Sequence, residues 1–200
     1  MIRRFASALS LGFRHGRGLA ESVRCGLTLA SVLELDPAEF ARLDIQVLAL
    51  DFDGVLAAHG QDRPLAQLEG WIEGCVKTLG ANRVFLLSNR DCTARNRYLS
   101  ERFPGLAVLS TSSRKPDPGG LHEIVRLSGC APASVALLDD RLLTGGLAAR
   151  AAGCRFVYVE TACADFRARP IRESWFFLLR YGERRLLGLK LARPPENRGS

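Results

Sequence analysis

Histidine is scarce, with three residues in 200, and no two cysteines stand in a C-x-x-C arrangement, so the usual zinc ligand set is missing. The six cysteines, Cys25, Cys75, Cys92, Cys130, Cys154 and Cys163, are scattered. That pattern fits reduced packing residues of a cytosolic-type protein rather than a disulfide framework. No run of eighteen apolar residues occurs, which argues against a spanning helix. The absence of a Gly-rich dinucleotide fingerprint, a G-x-S-x-G elbow and a P-loop removes hydride transfer, elbow-serine hydrolysis and P-loop chemistry. Lysine is also rare: Lys77, Lys115 and Lys190 stand among twenty-five arginines. In so arginine-biased a chain, a lysine hints that a compact ammonium is wanted rather than a planar fork.

What is present is an ordinary globular composition, 47% hydrophobic and 24% charged, with a net charge of +7 placed unevenly. Residues 1–31 carry +4, residues 167–200 carry +6 and the stretch between them −3. Basic ends suggest an anionic partner or simply a solvated surface; a membrane is the expected partner and nucleic acid is not. The Arg-rich, acid-poor start fits an organelle transit segment or a basic leader. The expected location is cytoplasmic, peripheral at a membrane, with organelle targeting as the alternative.

Strand and helix patterns alternate along the chain without internal repeats. Asp36-Pro37-Ala38-Glu39-Phe40 predicts a short helix with an N-cap and a proline in the first turn. Val47-Leu48-Ala49-Leu50 predicts a strand buried on both faces. Helices are expected over 65–79, ended by Gly80, over 93–103, over 121–127 and over 142–152. Further strands are expected over 83–87, 106–109, 134–138 and 155–159. This rhythm predicts an α/β fold, a doubly wound parallel sheet with right-handed crossovers.

Three of these strands end in polar or acidic residues: Asp51 and Asp53, Ser88 and Asn89, Asp139 and Asp140. In a parallel sheet those ends share one edge, where ligands of open α/β sheets bind. Taken alone, Asp51-Phe52-Asp53-Gly54 could be a solvated turn. Residues i and i+2 of an extended segment also point the same way, so both carboxylates can face one ligand. Together with Lys115, the edge offers a carboxylate nucleophile, an acid and base, a hydroxyl, a cation and a carboxylate pair for Mg²⁺. That inventory suits phosphoryl transfer.

Four segments in order, DFDGVL, LLSN, RKP and LLDD, resemble the motifs of the haloacid dehalogenase-like (HAD) phosphatases, over roughly residues 35–159. The resemblance implies Asp51 as nucleophile, Asp53 as general acid and base, Ser88 and Asn89 toward the substrate phosphate, and Lys115 stabilising nucleophile and phosphate. It implies Asp51, Asp53 (through its backbone carbonyl), Asp139 and Asp140 as Mg²⁺ ligands. The Leu35-Asp36 lead-in, Trp71, Ser88-Asn89, Lys115-Pro116, Ala152-Gly153 and the basic C-terminal helix are similar to the YqeG-like branch, subfamily IIIA, which includes phosphatidylglycerophosphate phosphatases. This chain departs from that branch at Gly54, where it usually has Asn, and at Val55, where it usually has Thr. In motif IV Asp139 stands at a glycine position and Gly145 at that of a later Asp.

The implied organisation is a basic extension over 1–31, a HAD-like Rossmannoid domain without a cap over 32–166, and a basic helix with a disordered tail from Pro194 over 167–200. The implied activity is Mg²⁺-dependent phosphomonoester hydrolysis through an aspartyl-phosphate, on a lipid phosphate such as phosphatidylglycerophosphate. A protein or nucleic acid phosphate, or a catalytically decayed binding module, is the alternative. Fewer than forty residues separate successive motifs from Asp53 to Lys115, room for a crossover but not an inserted lid. The site is therefore expected to be open and its substrate large. For residues 173–187 two readings stand: a helix in an anionic bilayer interface, or one that docks Phe176, Leu179 and Leu186 on the sheet with its arginines in water.

Overall fold

Short apolar runs bounded by turn residues become buried strands, and runs with a period of 3.6 become the helices that cover them. The computed structural model describes residues 18–109 and 113–189. A helix over 18–25 (α1) is followed by β1 (Thr28–Leu29), β2 (Val47–Leu50), α2 (Ala66–Leu79), β3 (Val84–Leu86), α3 (Thr93–Arg102) and β4 (Leu106–Val108). Then come α4 (Gly119–Ser128), β5 (Val135–Asp139), α5 (Leu147–Ala152), β6 (Arg155–Val159) and α6 (Pro170–Leu186). All paired strands are parallel, in the order β1-β6-β5-β2-β3-β4. The chain runs outward from β2 to β3 and β4, then returns to the other side of β2 for β5 and β6. That reversal makes the carboxyl end of β2 a topological switch point, and Asp51 is the next residue.

Alternate residues of each strand feed two cores. Leu48, Leu50, Val84, Leu86 and Leu138 pack with Leu68, Ile72 and Cys75 of α2 and Leu99 of α3. Val47, Ala49, Phe85 and Leu137 pack on the opposite face with Leu121 and Ile124 of α4, Leu147 of α5 and Leu19 of α1. Burying a leucine or isoleucine in such a layer is worth about 2 kcal/mol, so these layers hold the strand ends in register.

Several expectations change. The sheet begins inside the region expected to be a basic extension, because β1 pairs with β6 and Leu19 and Leu29 are buried. The expected leader arginines Arg3, Arg4, Arg14 and Arg17, and the tail from Pro194, lie outside the described residues. The short helix is a single 3₁₀ turn, Pro37–Glu39, with Asp36 Oδ1 accepting from Ala38 N at 2.9 Å. The helix expected over 142–152 opens with a wider π turn, Leu142–Gly146, in which Glu183 Oε2 accepts from Leu142 N at 2.9 Å.

The largest correction concerns α6. Two of its four arginines do not face water: Arg180 and Arg184 are buried with Glu173 and Glu183, while Trp175, Leu178 and Leu186 are exposed. Each inward charge meets an opposite or polar partner. Arg180 pairs with Asp140, Arg184 with Glu160 and Glu183 with Arg141. Glu173 accepts from His59 N at 3.1 Å, and the His59 ring stacks on Phe176 with centroids 3.7 Å apart.

Candidate active site

Asp51 N donates to Leu138 O at 3.0 Å, which carries the β2–β5 pairing one residue further and sets Asp51 beside the Asp139-Asp140 end of β5. The chain then turns at Gly54, whose φ of 90° disfavours any side chain; a Cβ there would also overlap the Asp140 carboxylate. Asp51, Asp139 and Asp140 are all buried, and each offers one oxygen within 4.8 Å of the others. Lys115 Nζ lies 2.5 Å from Asp139 Oδ2 and 3.1 Å from Asp51 Oδ1. Arg180 Nε lies 2.5 Å from Asp140 Oδ2.

α6 covers one side of the cluster, and the described residues hold no inserted cap. Burial has electrostatic consequences. Asp51 is pushed up from the ordinary value of 3.8 to about 7, by burial above all and by Asp139 and Asp140, with Lys115 opposing. Asp140 is also raised, by burial first, with Arg180 opposing. Burial would lower the Lys115 ammonium, but the carboxylates of Asp139 and Asp51 outweigh it and raise its pKa.

The other expected residues occupy the rim. Asp53 Oδ1 accepts from Gly60 N at 2.9 Å and Oδ2 from Arg90 Nε at 3.2 Å. Its carboxylate is not one of the three in the buried cluster. Ser88 Oγ accepts from Arg90 N at 3.2 Å and Arg95 Nη1 at 3.1 Å. The Asn89 side chain bonds to the backbone of Lys115. Lys115 N donates to Asn89 Oδ1 at 2.7 Å and Asn89 Nδ2 donates to Lys115 O at 2.9 Å, so the amide clamps the backbone that carries the lysine.

Sequence reasoning missed Arg90, Arg95 and Arg180. Arg90 and Arg95 follow Ser88 closely enough that a tally of charge near motif II would have flagged them. Arg180 lies forty residues beyond Asp140 and carries no local signal.

The donor set fits a divalent cation. Among the described residues, three carboxylates form ion pairs with two cations, Lys115 and Arg180, which favours a further positive charge in a dry site. Asp140 Oδ1 is buried and has no hydrogen-bond partner among the described residues. Hard carboxylate oxygens without nitrogen or sulfur suit Mg²⁺-type ions.

Gly145 explains the rearranged motif IV. A Cβ at that position would overlap the Asp139 carboxylate, so Asp139 fills the space a side chain at 145 would take. Gly145→Asp alone is expected to destabilise the chain by about 2 kcal/mol or more through overpacking and an added buried charge. Combining it with Asp139→Gly is expected to recover much of that loss, as measured by thermal melting. Equal melting temperatures for the single and double variants would contradict the steric link.

The raised Asp51 also fixes a pH dependence. The folded chain holds this proton more tightly than the unfolded one, so the group stabilises folding fully below about pH 4, and that contribution is lost as pH rises through about 7. Metal-free protein is expected to melt lower at pH 8 than at pH 5.5, with a smaller difference in Asp51→Asn. An unchanged difference would assign the slope to other groups.

The parallel sheet places an aspartate pair at its switch point, with a buried lysine beside it and a second acidic pair on the adjacent strand, the arrangement expected of a HAD-type phosphatase, a hydrolase. The profile of the family described as mitochondrial PGP phosphatase matches residues 25–163, and the chain belongs to that family. No curated protein matches it. Among solved structures, an uncharacterized protein from Corynebacterium glutamicum is similar at 17% identity and a TM-score of 0.46, over 74% of this chain and 99% of that one. The 3-deoxy-D-manno-octulosonate 8-phosphate phosphatase of Yersinia pestis is similar at 16% identity and a TM-score of 0.43, over 77% of this chain and 89% of that one.

Proposed function

We propose that the protein is a Mg²⁺-dependent phosphomonoester hydrolase that works through an aspartyl-phosphate on Asp51. The observation that carries this reading is the buried Asp51 carboxylate held 3.1 Å from Lys115 Nζ, with Asp139 and Asp140 beside it. An Asp51 oxygen attacks the phosphorus, the bond to the ester oxygen breaks, and Asp53 gives that oxygen a proton. Asp53 then takes a proton from water, whose oxygen attacks the same phosphorus; the bond to Asp51 breaks and inorganic phosphate leaves. Lys115 holds negative charge on the nucleophile and the transferred group, and Arg90 and Arg95 sit beside Ser88 where the phosphate oxygens would approach. Asp51, Asp139, Asp140 and the backbone carbonyl of Asp53 would hold Mg²⁺, which when bound offsets the charge that develops on the phosphate.

The proposed substrate is a lipid phosphate such as phosphatidylglycerophosphate. The family's description and the lack of an inserted cap among the described residues support it, and the word mitochondrial in that description supports an organelle location. No helix among the described residues is long and apolar enough to cross a membrane, so a lipid substrate would be met from the surface.

Phosphate release from a panel of phosphorylated lipids, sugars, nucleotides and peptides tests this. The lipid phosphate is expected to turn over at least tenfold faster than the others, and EDTA to abolish release until Mg²⁺ is restored. Release that is indifferent to EDTA would remove the metal from the account, and preference for a phosphopeptide would remove the lipid.

A further inference from the structure

An amphipathic helix on a globular protein normally turns its apolar stripe toward the core. In α6 the reverse holds. Ile171, Trp175, Leu178, Gly182 and Leu186 recur at i, i+4, i+7, i+11 and i+15 and lie along one face, on which Ile171 is 87%, Trp175 61%, Leu178 60% and Leu186 73% exposed. The opposite face is the one bonded to the protein through Glu173, Arg180, Glu183 and Arg184. The mounting is fixed by ion pairs and by Glu183 capping the π turn, so the helix cannot roll its stripe inward without leaving several buried charges unpaired.

Charge selects the occupant. Both acidic residues of α6 are used on the inward face, so its exposed charges are Arg172 and Arg185, with Arg167 exposed just before the helix. A stripe of aliphatic and aromatic side chains flanked only by arginine complements an anionic bilayer interface. Two copies of the chain meeting through α6 would instead press like-charged arginine flanks together.

We propose that the outward face of α6 is a membrane-docking surface for anionic phospholipid bilayers. Ile171, Trp175, Leu178 and Leu186 enter the interface, and Arg172 and Arg185 reach lipid phosphates. Because Arg180 on the other face holds Asp140, docking brings the catalytic edge close to the bilayer. The inference stands on the orientation of α6 and holds whichever phosphate ester reaches Asp51.

Tryptophan fluorescence tests it on the full chain. Of the two tryptophans, Trp71 is buried with its Nε1 donating to Leu35 O at 2.7 Å, so Trp175 reports contact with lipid. Vesicles of phosphatidylcholine doped with phosphatidylglycerol are expected to shift the emission to the blue, and pure phosphatidylcholine vesicles are expected to do so far less. Neutralising Arg172 or Arg185 with glutamine should lower the partition constant about fivefold each. The Ile171→Asp, Leu178→Asp double variant should lose the shift while hydrolysing a soluble aryl phosphate at the wild-type rate, which separates docking from catalysis. No shift with anionic vesicles, an equal shift with neutral ones, or a shift without lipid that tracks formation of a dimer would each overturn the proposal.

Discussion

Asp51→Asn is expected to lower kcat toward any phosphomonoester by about 10⁴-fold or more, while the chain stays folded. Removing a nucleophile from an assembled site costs on the order of 10⁴ to 10⁶ in rate, because what remains is binding and electrostatics without the covalent step. The substitution is close to isosteric, so the layers around β2 are untouched. It also removes a carboxylate whose ionisation opposes folding, since burial pushes Asp51 up to about 7. Above that pH the metal-free variant should therefore melt no lower than wild type. Loss of activity together with loss of fold would mean that Asp51 is a structural anchor, and a rate within tenfold of wild type would place the nucleophile elsewhere. Steady-state kinetics and thermal melting at pH 8 decide between these outcomes.

Lys115→Met is expected to be the most destabilising single change in the site. The ammonium is buried and stands between Asp139 and Asp51 at 2.5 Å and 3.1 Å. Removing it leaves two carboxylates facing each other in a dry environment, a class of change that costs about 3–5 kcal/mol. In a domain of this size that corresponds to roughly 10 °C or more in Tm. Saturating Mg²⁺ should recover part of the loss by restoring positive charge among the same carboxylates, whereas turnover should stay at least about 10²-fold down because the lysine also acts on the transferred phosphate. Lys115→Arg is not expected to substitute, since the space holds a compact ammonium and Asn89 clamps the backbone that carries it. A variant that melts like wild type would show that Lys115 contributes little to charge balance in the cluster.

The sheet was legible because the apolar runs at 47–50, 84–86, 135–139 and 155–159 have no competing period, and their polar ends fall on one edge by topology alone. Two-residue β1 was not legible, because Thr28 and Leu29 offer no pattern and pair only once β6 exists. That Asp51, Lys115, Asp139 and Asp140 come together was legible because each sits at a strand end or in a loop that the topology brings there. The partners that tune them were not. Arg180 reaches Asp140 from a helix whose periodicity gives a polar and an apolar face but not which of them turns inward. That choice is made by Asp140, Arg141, Glu160 and His59, residues spread over a hundred positions of sequence. The space at Gly145 was likewise invisible until the Asp139 side chain could be seen to fill it.

Borohydride trapping during turnover is the most direct test of the central claim that Asp51 carries the phosphoryl group. Reduction of an acyl phosphate converts the aspartate to homoserine, which peptide mass spectrometry locates. The account predicts homoserine at position 51 only when substrate is present, and none in Asp51→Asn. Homoserine at Asp53, Asp139 or Asp140, or none anywhere while phosphate is being released, would contradict it.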